Sequence, residues 1–184
     1  MEISSISGVP AHPLFVHIPV VGIPLVAALF LAYVLLPSKR SGLFWPTAVS
    51  IAFVTVATIL AASTGESLEE QLPPDQRNSS LLHTHTELGE QTRTIMIMFA
   101  IAALGFLAYD WWKARQSGEP IGKSSTSAPA SSPSSLSKAI VALGLVGILL
   151  GGVATVWDVR TGHAGAKSTW SDTTGTTRTG DDDD

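Results

Sequence analysis

Four stretches of this chain are long and apolar enough to cross a lipid bilayer, and nothing else in the sequence limits the fold as strongly. A helix needs about 20 apolar residues to span ~30 Å of hydrocarbon. Pro13 to Leu36, about Phe44 to Ser63, Thr94 to Trp112 and Lys138 to Trp157 all meet that length. Their apolar residues fall in blocks rather than in a single amphipathic stripe, as in helices surrounded by lipid or by other helices. Charged residues make up only 14% of the chain, against about a quarter in soluble domains. The expected fold is all-α, an integral membrane four-helix bundle with both termini on one side.

The remaining segments divide accordingly. Residues 1–12 form a short lead without Lys or Arg or a small-residue cleavage site, so the first apolar segment is expected to stay in the mature chain. Residues 13–112 carry the first three spans, with a polar connection, Thr64 to Arg93, that holds six of the fifteen acidic residues. Residues 113–137 are Ser/Pro/Gly-rich and read as a disordered tether. Residues 138–170 carry the fourth span and a GHAGA…W segment, and 171–184 read as a disordered acidic tail. Pro19 and Pro24 should bend the first helix. Gly144, Gly147 and Gly151 share one face of the fourth, a close-packing surface through which a second copy or a larger complex could dock.

Basic residues near the spans set the orientation. The connections between the first and second and between the third and fourth spans carry six Lys or Arg; the side with both termini has five, over nearly twice the length. The connections therefore read as cytoplasmic, giving a bacterial inner membrane protein with both termini outside.

This topology puts all five histidines at the outer end: His12 and His17 at the first span, His83 and His85 before the third, and His163 after the fourth. Glu66, Glu69 and Glu70 follow the second span there, and Glu87 and Glu90 lead into the third. If the third helix starts early, His83, Glu87 and Glu90 fall on one stripe. Imidazoles and carboxylates together suit zinc, iron, manganese or copper, and helix bundles build such sites from facing helices. A plainer explanation also stands, because His and Glu are ordinary at the headgroup level and Glu at a helix start complements its dipole. With no cysteine there is no thiolate ligand. The chain contains no HExxH metallopeptidase motif, phosphate loop or basic nucleic-acid patch.

VPAHPLFVHIPV, TGESLEE, HTHTELGE and TGHAGAKSTW together resemble the family called domain of unknown function 2231, predicted bacterial membrane proteins, from about Pro10 to Trp170. The resemblance implies a compact four-helix membrane domain and no established activity. It singles out His85 over His83. The expected ligands of a transition metal (zinc, iron or copper) are His12, His17, Glu66, His85 and His163, with Glu87 orienting an imidazole and His83 and Glu90 as alternates. A second expectation is redox: two of the histidines as axial ligands of haem b, or a quinone pocket. A third is an accessory subunit whose His/Glu cluster only ties helix ends together.

Overall fold

The computed structural model describes residues 5–6, 9–118, 120–121 and 135–175. A two-residue antiparallel pairing, Ser5–Ile6 with Val9–Pro10, precedes the helices. The helices are α1 (Ala11–Leu35), α2 (Arg40–Glu70), the single turn α3 (Pro74–Arg77), α4 (Ser80–Ser117) and α5 (Ser135–Gly175). Apart from α3, each of these helices is long and apolar enough to cross a membrane. A 3-10 turn, Pro37–Lys39, joins α1 to α2. Gly118 ends α4 in the left-handed region at φ 68°, where a side chain would clash with its own carbonyl.

The helices run further than their apolar stretches. At 1.5 Å per residue, the 31 residues of α2 extend about 46 Å, well beyond the hydrocarbon. The polar connection expected over Thr64 to Arg93 is therefore mostly helix, and only residues 71–79 join α2 to α4. Charged side chains did not stop the helices because they lie at the surface or along the lining of an open cavity, leaving backbone bonds intact. Helix α5 likewise runs into the first five residues of the expected tail. The rest of that tail and most of the Ser/Pro-rich tether lie outside the described residues.

The interior follows a 3-4 spacing on every helix. Inward positions are Ile23, Val26, Phe30 and Tyr33 on α1, Ile51 and Val54 on α2, Met96, Phe99, Ala103 and Phe106 on α4, and Ala154 on α5. Such spacing keeps one seam facing the neighbours in left-handed bundles. Around the bundle the order is α1, α2, α4, α5, so α1 and α4 are diagonal. Outside the seam the surface stays apolar: Val21, Ile101, Leu149 and Val159 are all more than 60% exposed. That surface suits lipid, not water.

The glycine face of α5 is filled from within the chain. A Cβ at Gly147 would stand 2.6 Å from Phe30, one at Gly144 2.9 Å from Phe106, and one at Gly151 3.1 Å from Phe99 and 3.2 Å from Ala27. The expectation that this face receives a partner is thus corrected: three phenylalanines and Ala27 already occupy it. Phe30 is fully buried and held edge-on by Phe99 and Phe106, at 5.8 and 6.0 Å, so it has little room to yield. Valine at Gly147 should lower stability by about 1–3 kcal/mol through overpacking. Valine at Gly152, where a Cβ meets nothing within 4 Å, is the control. Unfolding in detergent micelles would show the difference, and equal stabilities would disprove this packing.

Candidate functional site

At the end of the bundle where α1 and α4 begin, the inward seam turns polar. His12 opens the inward stripe of α1, and His85 occupies the equivalent place on α4, three and four residues at a time above Gly89, Thr92 and Met96. Their ring centroids are 6.2 Å apart with planes at 75°.

Each ring is seated in the same way. His12 Nδ1 donates to the Ala61 carbonyl at 2.9 Å, and the ring lies against Gly65, whose added Cβ would meet it at 3.0 Å. His85 Nδ1 donates to the Thr161 carbonyl at 3.0 Å, and its ring lies against Gly165, whose Cβ would meet it at 2.9 Å. In both hairpins, α1/α2 and α4/α5, the accepting carbonyl is four residues before the glycine. The glycine lets the ring approach the opposing helix. A carbonyl can only accept, so the neutral rings carry their protons on Nδ1 and leave Nε2 as a free lone-pair donor.

A cavity of about 770 Å³ adjoins the pair, mainly apolar in lining. Val16, Val20, Leu68, Leu72 and Leu82 contribute to its walls, and Gly65, Gly89, Gly162 and Gly165 leave space along α2, α4 and α5. Glu66, Glu69 and Glu90 stand at its polar margin. Glu66 is paired with Arg93 at 2.9 Å, and Glu69 accepts from the Thr86 hydroxyl at 2.8 Å.

The candidates read from the sequence therefore separate. His12 and His85 come together. His17 is exposed, its Nδ1 bonded to the Pro13 carbonyl, and reaches the cavity only at its lining. Glu66 and Glu90 also line it, Glu66 tied to Arg93. His83 and His163 are exposed and do not line the cavity. Glu87 is exposed and bonds to Gln91 at 3.3 Å. The orienting role expected of Glu87 falls instead to two backbone carbonyls. Among the described residues no group of three or more His, Asp or Glu is placed to hold a metal ion.

Two features escaped the sequence reading. Asp158 occupies an inward position of α5, 5% exposed, between Ala154 and Thr161. At the opposite end of the bundle the half-buried Arg40 and Asp110 cluster with the buried Tyr33, Arg40 and Asp110 standing 3.0 Å apart.

Residues 8–178 match the family described as "Predicted membrane protein (DUF2231)". The chain belongs to that family. No curated protein and no solved structure shows a significant match to it.

Proposed function

We propose that this DUF2231 protein is a b-type haem protein of the bacterial inner membrane, with His12 and His85 as axial ligands and an electron-transfer role. The supporting observation is the seated histidine pair. Metal–imidazole bonds run at roughly 2 Å and a ring nitrogen lies about 1 Å from its ring centre, so two imidazoles across one metal ion have centroids roughly 6 Å apart. The observed 6.2 Å fits that span. Hydrogen bonds from Nδ1 to fixed acceptors are how ligating histidines are usually held.

Two considerations favour a porphyrin over a bare ion. A structural ion takes about four protein ligands, whereas among the described residues only a pair converges. A macrocycle brings four nitrogens of its own. A bare ion also needs no large apolar cavity, and this pair has one of about 770 Å³ beside it. Filling both axial positions leaves no iron site for a substrate, so such a haem would exchange electrons rather than bind oxygen. The excess of Lys and Arg in the connections opposite the histidines supports their lying inside, with the site and both termini outside.

A second reading has one specific observation behind it. Glu66, Glu69 and Glu90 make the cavity rim acidic, which suits a cation such as zinc or copper bound between the same two rings. Purified protein decides between them. The expected result is a Soret band, a reduced-minus-oxidised difference spectrum of a six-coordinate haem, and one haem per chain by pyridine haemochrome assay. Colourless protein with stoichiometric zinc or copper would replace the haem reading by the ion. Protein lacking both would leave the pair a structural clasp.

A further inference from the structure

Asp158 lies two seam layers inside the histidine pair, seven residues before Gly165 and thus about 10 Å along α5 from it. It is 5% exposed, and among the described residues its buried Oδ2 has no hydrogen-bond partner. A carboxylate inside a membrane bundle is costly unless a partner or a proton neutralises it, and such groups mark ion and proton sites. Along the seam toward the histidines, the buried and half-buried side chains include threonines. Thr58 and Thr92 are buried at the same depth, and the Thr92 hydroxyl bonds to the Thr161 hydroxyl at 2.9 Å. The carbonyl of Thr161 holds His85. On the other side come Ile23, Val54, Met96 and Ala154, all apolar and buried. The titratable groups that α1 and α4 bring to this end of the interior are His12 and His85, with Glu66 and Glu69 of α2 and Glu90 of α4 at the cavity margin.

We infer that Asp158 is the proton-carrying group of the histidine site, taking up a proton when the site is reduced and releasing it on oxidation. The inference rests on the haem reading. In the balanced step, a haem held by His12 and His85 would take one electron from an external one-electron donor, dithionite in the test. One proton passes from a hydronium ion in the adjoining water to the Asp158 carboxylate, so one O–H bond breaks as another forms. Unit charges 10 Å apart in an effective dielectric of about 20 change each other's proton affinity by roughly tenfold. Reduction removes one positive charge at that distance and draws the proton in.

The experiment is a pH series of haem midpoint potentials on the full-length protein in lipid nanodiscs, with redox-difference infrared spectra. In the wild type the potential should fall as pH rises, and reduction should produce a protonated-carboxyl C=O band that shifts when aspartate is labelled with ¹³C. Asp158→Asn should keep the Soret band, flatten the pH profile and lose that band; Asp158→Glu should retain the sloping profile and a carboxyl band that labelled aspartate no longer shifts. An Asn variant with an unchanged slope, or a wild type with no labelled carboxyl band, would overturn the assignment while leaving the haem in place. If the Asn variant does not fold, Asp158→Glu decides: a carboxyl band still shifted by labelled aspartate in that variant would put the proton on another aspartate, such as Asp110, and overturn the assignment. A wild type without haem sinks both ideas, a result distinct from either failure at Asp158.

Discussion

On the haem reading proposed above, alanine at His12 or at His85 is expected to abolish the six-coordinate spectrum, while alanine at His17, His83 or His163 leaves it intact. The two groups differ in geometry, not in residue type. His12 and His85 are held from opposite helices by the carbonyls of Ala61 and Thr161. Each has one nitrogen occupied by a backbone bond and the other free. His83 and His163 are exposed and away from the cavity, and the Nδ1 bond of His17 lies within its own helix. Removing either member of the pair leaves at most one axial ligand, so both single variants should fall to a weakly bound, five-coordinate or empty state. Imidazole added to either alanine variant should restore the spectrum, because the glycine beside the deleted ring leaves its seat open. Crowding that seat gives a milder version of the same result. Valine at Gly65 or Gly165 displaces a ring that already lies about 3 Å from an added Cβ, and disturbing a ligand's support typically weakens binding about 10–100-fold. Should both histidine variants keep the wild-type band, the pair is not the ligand set.

The family resemblance, more than local periodicity, distinguished His85 from His83. His83, Glu87 and Glu90 do share a helical stripe, but all three are exposed. A stripe tells which residues share a face and not which face is inward. The missing signal was further along the helix. Phe106, Ala103, Phe99 and Met96 are apolar at 3-4 spacing, and the same spacing continued toward the N-terminus reaches Thr92, Gly89 and His85. The four membrane spans were legible because lipid demands length and apolarity together. Helix ends were not, since hydropathy measures how far the hydrocarbon reaches rather than how far the backbone stays helical. For that reason Asp158 falls just outside the expected fourth span: the apolar run stops at Trp157, while the inward seam of α5 continues through Asp158 to Thr161 and Gly165. The pairing of His12 with His85 needed the third dimension, because it depends on α1 and α4 being diagonal.

Alanine at Asp110 should be among the most destabilising single changes in the bundle, on the order of 3–5 kcal/mol. Arg40 begins α2 and turns back under the end of α1. Its guanidinium donates to Asp110 at 3.0 Å and to the carbonyls of Tyr33 and Val34, each at 3.0 Å. Those carbonyls belong to the last turn of α1 and lack helical partners. The same guanidinium lies over the rings of Tyr33 and Phe106, at 5.5 and 5.3 Å, and the Tyr33 hydroxyl donates to Asp110. The Arg40 and Asp110 side chains are only 18% and 12% exposed, so solvent screens the pair weakly. Removing Asp110 strands a cation among aromatic rings and orphans the Tyr33 hydroxyl together. Asparagine keeps an acceptor for both donors and should cost less than alanine. Lysine at Arg40 retains charge but cannot reach three acceptors through one planar fork. Unfolding of the variants in a common detergent would rank them Asp110→Ala, then Arg40→Lys, then Asp110→Asn, from most to least damaged. An alanine variant within 1 kcal/mol of wild type would show that the cluster does not hold this end together. Because it sits at the end remote from the histidines, variants that remain folded should keep whatever the wild type binds at the His12–His85 pair, which separates the stability of the bundle from the chemistry proposed for its other end.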